Sequence, residues 1–506
     1  MKKYLLLSLI LALTALSASA TTVAGDVNGD GECTGSDVTA LYNYILYNDA
    51  SAIVNGDQNG DGDITGSDVT AVYNIILYGS SQDEDIEDYN INIAYDGESA
   101  TVTVAKNISG YITTAINGAH VNIVADAALQ DSIFFNLSGS TSNGSFYMDG
   151  DYKCYVNLTD LVIHNPDSAA INIDNGKRID LTLNGTSTLT DATGGAQRAC
   201  CFINGHVVIA GEGTLNITGN SKHAYFSDEY TRMTSGTINV ANSASDGMHI
   251  NQYFMMDGGT ITINTTGGDG IDVGMTKDAT DSNNGEFILN NGTISITTSG
   301  DAVKAIKCES IMTIAGGSIT ATTSGNAVYD ATKADLSSCA AIKCDSTFVM
   351  TSGTVYLTST GAGGKGLNTD GSVKIGGGTF TAITTGDVYE YSSTLDTKAG
   401  GVKADGSITI TGGTVRVAAS NDDARAFNGE LGFFTNGGYI VGIGGKSSTV
   451  STGYTQSYKY LRNQVINGGT TYTPLVNNAS VGISFDIPSI YSNSSALVVV
   501  STPEIN

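Results

Sequence analysis

From about residue 200 onward the chain repeats one phrase, in which a Gly and a Thr or Ser are followed by alternating apolar and polar residues. The Gly stands at 213, 236, 259, 292, 317, 353, 378 and 413, so the intervals are 23, 23, 33, 25, 36, 25 and 35 residues. Alternation with period two is strand periodicity. A unit of about 24 residues, lengthened by about ten in three places, fits one coil of a β-solenoid carrying insertions. The insertions fall at 275–284, 329–339 and 388–398. Two and four places after the Gly stand Leu215/Ile217, Ile238/Val240, Ile261/Ile263, Ile294/Ile296, Ile319/Ala321, Val355/Leu357, Phe380/Ala382 and Val415/Val417, all predicted to face inward. A second strand ends three residues before the Gly, with Met256, Leu289, Ile314, Met350, Ile375 and Ile410 stacked inward. A third begins further along, at Met248 and Ile271. Three short strands per coil predict a mainly β chain wound as a parallel β-helix.

The first eighty residues carry a different pattern. DVNGDGECTGSD (26–37) and DQNGDGDITGSD (57–68) start 31 residues apart and run into the near-identical VTALYNYILY and VTAVYNIILY, a tandem duplication. Apolar residues at Val38, Leu41, Ile45 and at Val69, Val72, Ile76 have helical spacing. Calcium takes six to eight oxygens, which a twelve-residue loop supplies from positions 1, 3, 5, 7, 9 and 12. These are Asp26, Asn28, Asp30, the Glu32 carbonyl, Thr34 and Asp37 in the first loop, and Asp57, Asn59, Asp61, the Asp63 carbonyl, Thr65 and Asp68 in the second. Gly31 and Gly62 stand where the loop must turn with positive φ. Two ions are expected. So small a module buries little apolar area, and metal binding should supply much of its folding free energy. Cys33, where the second copy has Ile64, reads as a small buried hydrophobe.

Composition changes the picture in three respects. With 63 Gly, 4 Pro and 41% hydrophobic residues, the chain suits an elongated repeat better than one globule. Residues 1–20 read as a secretory signal: Lys2 and Lys3, an apolar run from Tyr4 to Ala15, then Ala18-Ser19-Ala20. No later stretch reaches the ~18 apolar residues of a membrane span, so the protein is expected to be secreted. The 50 acidic against 23 basic residues give a net charge of −27, which argues against nucleic-acid binding. Seven Cys scattered over the chain do not form a disulfide framework, and an odd count leaves one unpaired. Cys308 and Cys344 occupy equivalent places in adjacent coils, as a core stack or a disulfide.

Two ladders of chemistry follow from the repeat. Nine or ten residues after the Gly stand Asp246, Asp269, Asp301, Asn326, Asp387 and Asp422-Asp423. Stacked carboxylates repel unless solvated or bridged by a cation, so either calcium or a backbone-bonded turn ladder accounts for them. Three residues on lies an outward row of His249, Asp272, Lys307, Lys343, Asn368 and Lys403, with Lys304 and Lys365 nearby. These cations either hold the uronate groups of an acidic polysaccharide or neutralise the acidic ladder. There is no Trp to stack on crystalline polysaccharide, but 25 Tyr remain.

The duplicated loop–helix pattern, with Asp at position 12 and no preceding helix, resembles the type I dockerin module over residues 21–79. The resemblance implies a cohesin partner on a scaffold or cell surface. It places partner choice at Gly35, Ser36, Tyr42 and Asn43 and at Gly66, Ser67, Tyr73 and Asn74, with either copy able to face the partner. Residues 80–89, with the acidic stretch SSQDEDIED, read as a linker. Phrases such as LTLNGTSTLTDATGG and GGTITINTTGGDGIDV resemble the carbohydrate-binding right-handed parallel β-helix family, pectate-lyase-like in fold, over residues 90–435, with capping strands at 436–506. That resemblance implies calcium and a plant cell-wall polysaccharide, pectin-like or cellulose. A non-catalytic binder is favoured because the candidate residues recur monotonously, whereas catalysis needs one irregular cluster. A calcium-dependent pectate-type lyase using Asp246, Asp269 and Asp301 with Lys304 or Lys307 is the alternative, and a surface spacer or adhesin the second.

Overall fold

In a computed structural model, which describes residues 23–58, 62–78, 87–129, 131–265, 267–420 and 423–505, each acidic loop runs into a 13-residue helix. These are α1, Gly35–Tyr47, and α2, Gly66–Tyr78. Thr34 caps α1: its side chain accepts the Ser36 amide while Asp37 reaches back to the Thr34 amide, a reciprocal capping box. Asn48 ends α1 in the left-handed region, φ 54°, where its N–H returns to the Tyr44 carbonyl. Val27, Val38, Ala40, Leu41, Val69 and Val72 form the buried core, with Cys33, Ile53 and Ile64 packed partly against it. Cys33 thus does the job of Ile64 in the other copy. The helical spacing misleads at its third member, because Ile45 and Ile76 are 37% and 38% exposed. Two helices and two loops have too few apolar residues to cover a third turn. No helix among the described residues is long and apolar enough to cross a membrane.

The chain divides into two compact units, residues 1–86 and 87–506. Among the described residues of the second, the regular elements are strands apart from a 3-10 turn at Ser109–Tyr111. Its predicted inward pairs, from Leu215/Ile217 to Val415/Val417, are all buried, and so is the Met256–Ile410 stack. Neighbours in that stack are direct parallel partners: Met256 with Leu289, then Ile314, Met350, Ile375 and Ile410. Parallel pairing in exact register places like side chains over like along the whole row. The repeated Gly from 236 to 413 takes positive φ, between 67° and 104°, at each strand entry, a backbone turn that a Cβ would strain. Gly213, the first of the series, does not take it.

Two of the insertions are antiparallel hairpins rather than irregular loops: Val328–Asp330 with Asp335–Ser337, and Tyr389–Ser392 with Leu395–Thr397. They brace each other, since the Tyr329 and Tyr391 rings stack at 4.1 Å and 6°. Parallel pairing also reaches back to residue 90, ahead of the visible repeat. There, long strands such as Ile171–Asn184 and Ala199–Gly211 run through a bend that later coils break into two. Ala199–Gly211 pairs with both His223–Ser227 and Thr231–Met233. At the far end Asn493–Ser501 pairs antiparallel with Phe433–Gly444 and Lys459–Ile466, over an apolar cluster that includes Val441, Ile443, Phe485, Tyr491 and Val498. All seven cysteines are free thiols, and Cys308 and Cys344 are register partners in the core.

Candidate functional sites

The first loop is organised by its own carboxylates. Asp26 accepts the amides of Gly29 (2.7 Å) and Asp30 (3.1 Å) on Oδ1 and that of Gly31 (3.0 Å) on Oδ2. Asn28 accepts the Asp30 amide, and Asp30 accepts that of Glu32. Fully buried Asp37 accepts Val27 and Asn28 on Oδ1 and Thr34 on Oδ2. In the second loop Asp68 does the same for Gln58 (2.7 Å) and Thr65 (2.8 Å), and Asp57 accepts Gly62. Gly31 and Gly62 have φ of 90° and 92°. The donors offered in each loop are oxygens alone, as a hard cation requires, and a buried carboxylate closes each ring, so the residues fit calcium. Asn59 and Asp61 lie outside the described residues. Of the predicted partner-facing residues, Gly35, Ser36, Tyr42, Gly66, Ser67 and Tyr73 are exposed and Asn43 is half-buried, while the Asn74 side chain lies outside those described. Leu46, Tyr47 and Val54 are also strongly exposed, an unusual amount of bare apolar surface for so small a unit.

In the second unit the outward row is in register: Phe226, His249, Asp272, Lys307, Lys343, Asn368, Lys403 and Asn428 are successive parallel partners. The acidic corner is a hydrogen-bonded ladder that ties each coil to the next. Asp246 Oδ1 accepts the Asp269 amide, Asp269 Oδ1 that of Lys304, Asp301 Oδ1 that of Asn326, and Asn326 Oδ1 that of Ala362. The acceptors therefore serve the following coil, not their own turn. Burial raises the Asp269 carboxyl to about 6. Asp387 and Asp423 lie further along the chain, where Asp423 faces Lys446 at 3.4 Å, and Asp422 is outside the described residues.

The row's charges are partly paired. Lys307 Nζ lies 2.9 Å from Asp272 Oδ1, Lys343 pairs with Asp345 and Asp370, and Lys403 with Asp405 at 2.6 Å. Lys304 Nζ donates to the Ala302 carbonyl and the Ser337 hydroxyl. At the start of the row, His249 Nδ1 lies 3.0 Å from Asp246 Oδ2 and 3.2 Å from Asp272 Oδ2. Burial opposes its charge, but the two carboxylates outweigh it and raise the imidazole to about 9.

A cleft further along the same face is lined by Lys365, Lys398, Lys403, Asp423, Arg425 and Asn428. Lys398 and Arg425 do not belong to the repeat phrase and escape a reading based on it, whereas Asn428 continues the outward row by one coil. Lys365 is 5% exposed, and its ammonium donates to the carbonyls of Gly363 and Lys398 (both 2.6 Å) and to the Thr397 hydroxyl (2.9 Å). Burial, and behind it the Lys403 charge, pulls its pKa down to about 7. This lysine pins the 389–397 hairpin over the cleft. Lys365→Met keeps the stem but leaves these acceptors without a donor, so it should cost about 2 kcal/mol. The loss is readable by denaturant unfolding, with faster proteolysis at 389–397. Unchanged stability and cleavage would dismiss the tether.

A family model of the carbohydrate-binding domain-containing proteins matches residues 117–388, and a type I dockerin domain model matches residues 24–77. No curated relative matches the chain. Among solved structures, that of a polysaccharide lyase-like protein from C. thermocellum, a gadolinium derivative, is similar at 21% identity and a TM-score of 0.43. The match covers 53% of this chain and 100% of that one.

Proposed function

Because this chain belongs to the carbohydrate-binding domain-containing proteins and carries a type I dockerin domain, we propose that it is a secreted, non-catalytic binder of acidic plant cell-wall polysaccharide, tethered to a degradative assembly by a cohesin partner. Calcium, when bound, supplies the charge that folds the docking loops around Asp26, Asn28, Asp30, the Glu32 carbonyl, Thr34 and Asp37, and around Asp57, Asn59, Asp61, the Asp63 carbonyl, Thr65 and Asp68. In this reading residues 1–20 are a signal, 21–79 the docking module, 80–89 a linker, 90–435 a right-handed parallel β-helix and 436–506 its cap. Parallel rows that stay in register across insertions support the β-helix.

The observation that carries the binding function is the cationic cleft. Lys398, Lys403 and Arg425 line it beside Asn428, Asp423 and Asp396, the last 3.7 Å from Lys398, at the end of the row holding Lys307 and Lys343. Lys403 directs one hydrogen bond to Asp405, and an ammonium has three donors, which leaves capacity for a carboxylate ligand. A uronate bound by charge-assisted hydrogen bonds suits this lining. The lyase alternative gains nothing from the contacts of Lys304 and Lys307, each of which is held by neighbouring oxygens.

The test is retention of the calcium-saturated full chain on polygalacturonate and on cellulose, with ultraviolet detection of unsaturated product. Retention on polygalacturonate without product is expected. Lys403→Ala/Arg425→Ala should weaken it about tenfold, the worth of one to two charge-assisted hydrogen bonds. Unsaturated product would establish the lyase, and no retention on either glycan would leave the spacer.

A further inference from the structure

We infer that His223, Asp246 and His249, with Asp272 beside His249, form a site for a divalent transition metal of the zinc class, distinct from the calcium loops. His223 Nδ1 and His249 Nδ1 lie 3.2 and 3.0 Å from the same oxygen, Asp246 Oδ2, and His249 Nδ1 lies 3.2 Å from Asp272 Oδ2. Among the described residues this is the one group of three His, Cys, Asp or Glu side chains whose ligand atoms all fall within 4.8 Å of one another. Zinc bonds to imidazole nitrogen and carboxylate oxygen are about 2.0–2.2 Å, so neighbouring ligand atoms of a tetrahedral site stand about 3.3–3.6 Å apart. The two separations from imidazole nitrogen to Asp246 are within a few tenths of an ångström of that edge.

A purely ionic account of the cluster is incomplete. One proton on His249 explains its approach to both carboxylates. It does nothing for His223, which is 4% exposed and whose Nδ1 has no hydrogen-bond partner despite its approach to Asp246. A buried, unpartnered nitrogen aimed at a carboxylate is costly unless something else uses its lone pair. Two nitrogen donors point to zinc, cobalt, nickel or copper rather than to calcium, which takes oxygens.

The surroundings hold these ligands in place. The His249 ring stacks on Phe226 at 5.2 Å and 5°, Phe226 in turn stacks on Phe202 at 5.1 Å with the Arg198 guanidinium 4.3 Å from its ring, and Lys307 holds Oδ1 of Asp272. His223 belongs to one coil and Asp246 and His249 to the next, so an ion here would staple two consecutive coils.

The experiment uses the full chain, stripped of metals, dialysed into excess calcium to fill the docking loops, and titrated with Zn²⁺ by calorimetry. Co²⁺ follows as a probe, through the visible absorption of a nitrogen- and oxygen-ligated ion. One zinc per chain is expected, with a raised melting temperature for the strand signal. Affinity should fall about tenfold or more in His249→Gln and in His223→Gln, and stay unchanged in Lys403→Ala. Because buried His223 could fail to tolerate replacement, the half-exposed His249 variant and the wild-type titration decide the matter by themselves. No zinc bound by the calcium-saturated wild type, or equal affinity in His249→Gln, would overturn the site.

Discussion

Removing calcium should abolish binding of the full chain to a cohesin and melt residues 23–78, while the strand signal of residues 87–505 persists. Among the described residues six form the buried core of the docking unit, Val27, Val38, Ala40, Leu41, Val69 and Val72. That is too little apolar burial to offset the ordering of two acidic loops. A ligand held at a thousand times its dissociation constant adds about 4 kcal/mol, comparable to the whole stability of so small a unit. Asp37→Ala/Asp68→Ala should reproduce the effect in the presence of calcium. Each of these carboxylates is fully buried and accepts backbone amides from the start of its loop and from Thr34 or Thr65. Either single variant should keep docking through the intact copy, because the exposed candidates Gly35, Ser36 and Tyr42 recur as Gly66, Ser67 and Tyr73. The measurement is cohesin capture alongside helical circular dichroism. Undiminished capture in chelator would remove calcium from the account.

The second large effect is expected at Gly361. Gly300, Gly325, Gly361 and Gly386 follow one another at one corner of successive coils. A Cβ at 325, 361 or 386 would overlap the carbonyl oxygen of the glycine before it in this series. The obstacle is main chain directly after the parallel strand Ser318–Thr323, so it cannot yield as a flexible side chain would. Gly361→Ala should therefore destabilise the second unit by about 3 kcal/mol or more. Gly376→Ala is the control, because a Cβ there meets nothing nearer than the Thr411 hydroxyl at 3.6 Å. Its cost should stay within about 1 kcal/mol, the ordinary range for Gly to Ala where φ is compatible. Equal denaturation midpoints for the two variants would refute the close-approach argument.

Much of this architecture was legible in the residues themselves. The outward row from His249 to Lys403 was read from spacing, and the parallel register reproduces it partner by partner. The inward pairs and the Met256–Ile410 stack were equally plain, because a strand's period of two is written along the chain. The positions of the insertions were legible too, as irregularities in the Gly intervals. Their mutual bracing was not, since Tyr329 meets Tyr391 from a different coil. The Gly spacing was read only from residue 213, so the stretch from 90 to 200 was assigned to the repeat by resemblance alone, and its long strands such as Ile171–Asn184 went unrecognised. His223 lies 23 residues before Asp246, one coil earlier on the acidic corner. Extending that ladder backward by one period would have found it.

The sequence by itself therefore determined what depends on neighbours along the chain: the loop oxygens and their positive-φ glycines, the helix starts, the alternation, the coil length and the order of the outward row. Only the tertiary structure decided which groups meet across coils. Stacking at strand spacing brings together side chains 23 to 35 residues apart, so that Asp246 comes to face two imidazoles and Lys365 is buried beneath a hairpin. Those meetings turn on rotamers, burial and inserted segments, which no period in the sequence encodes.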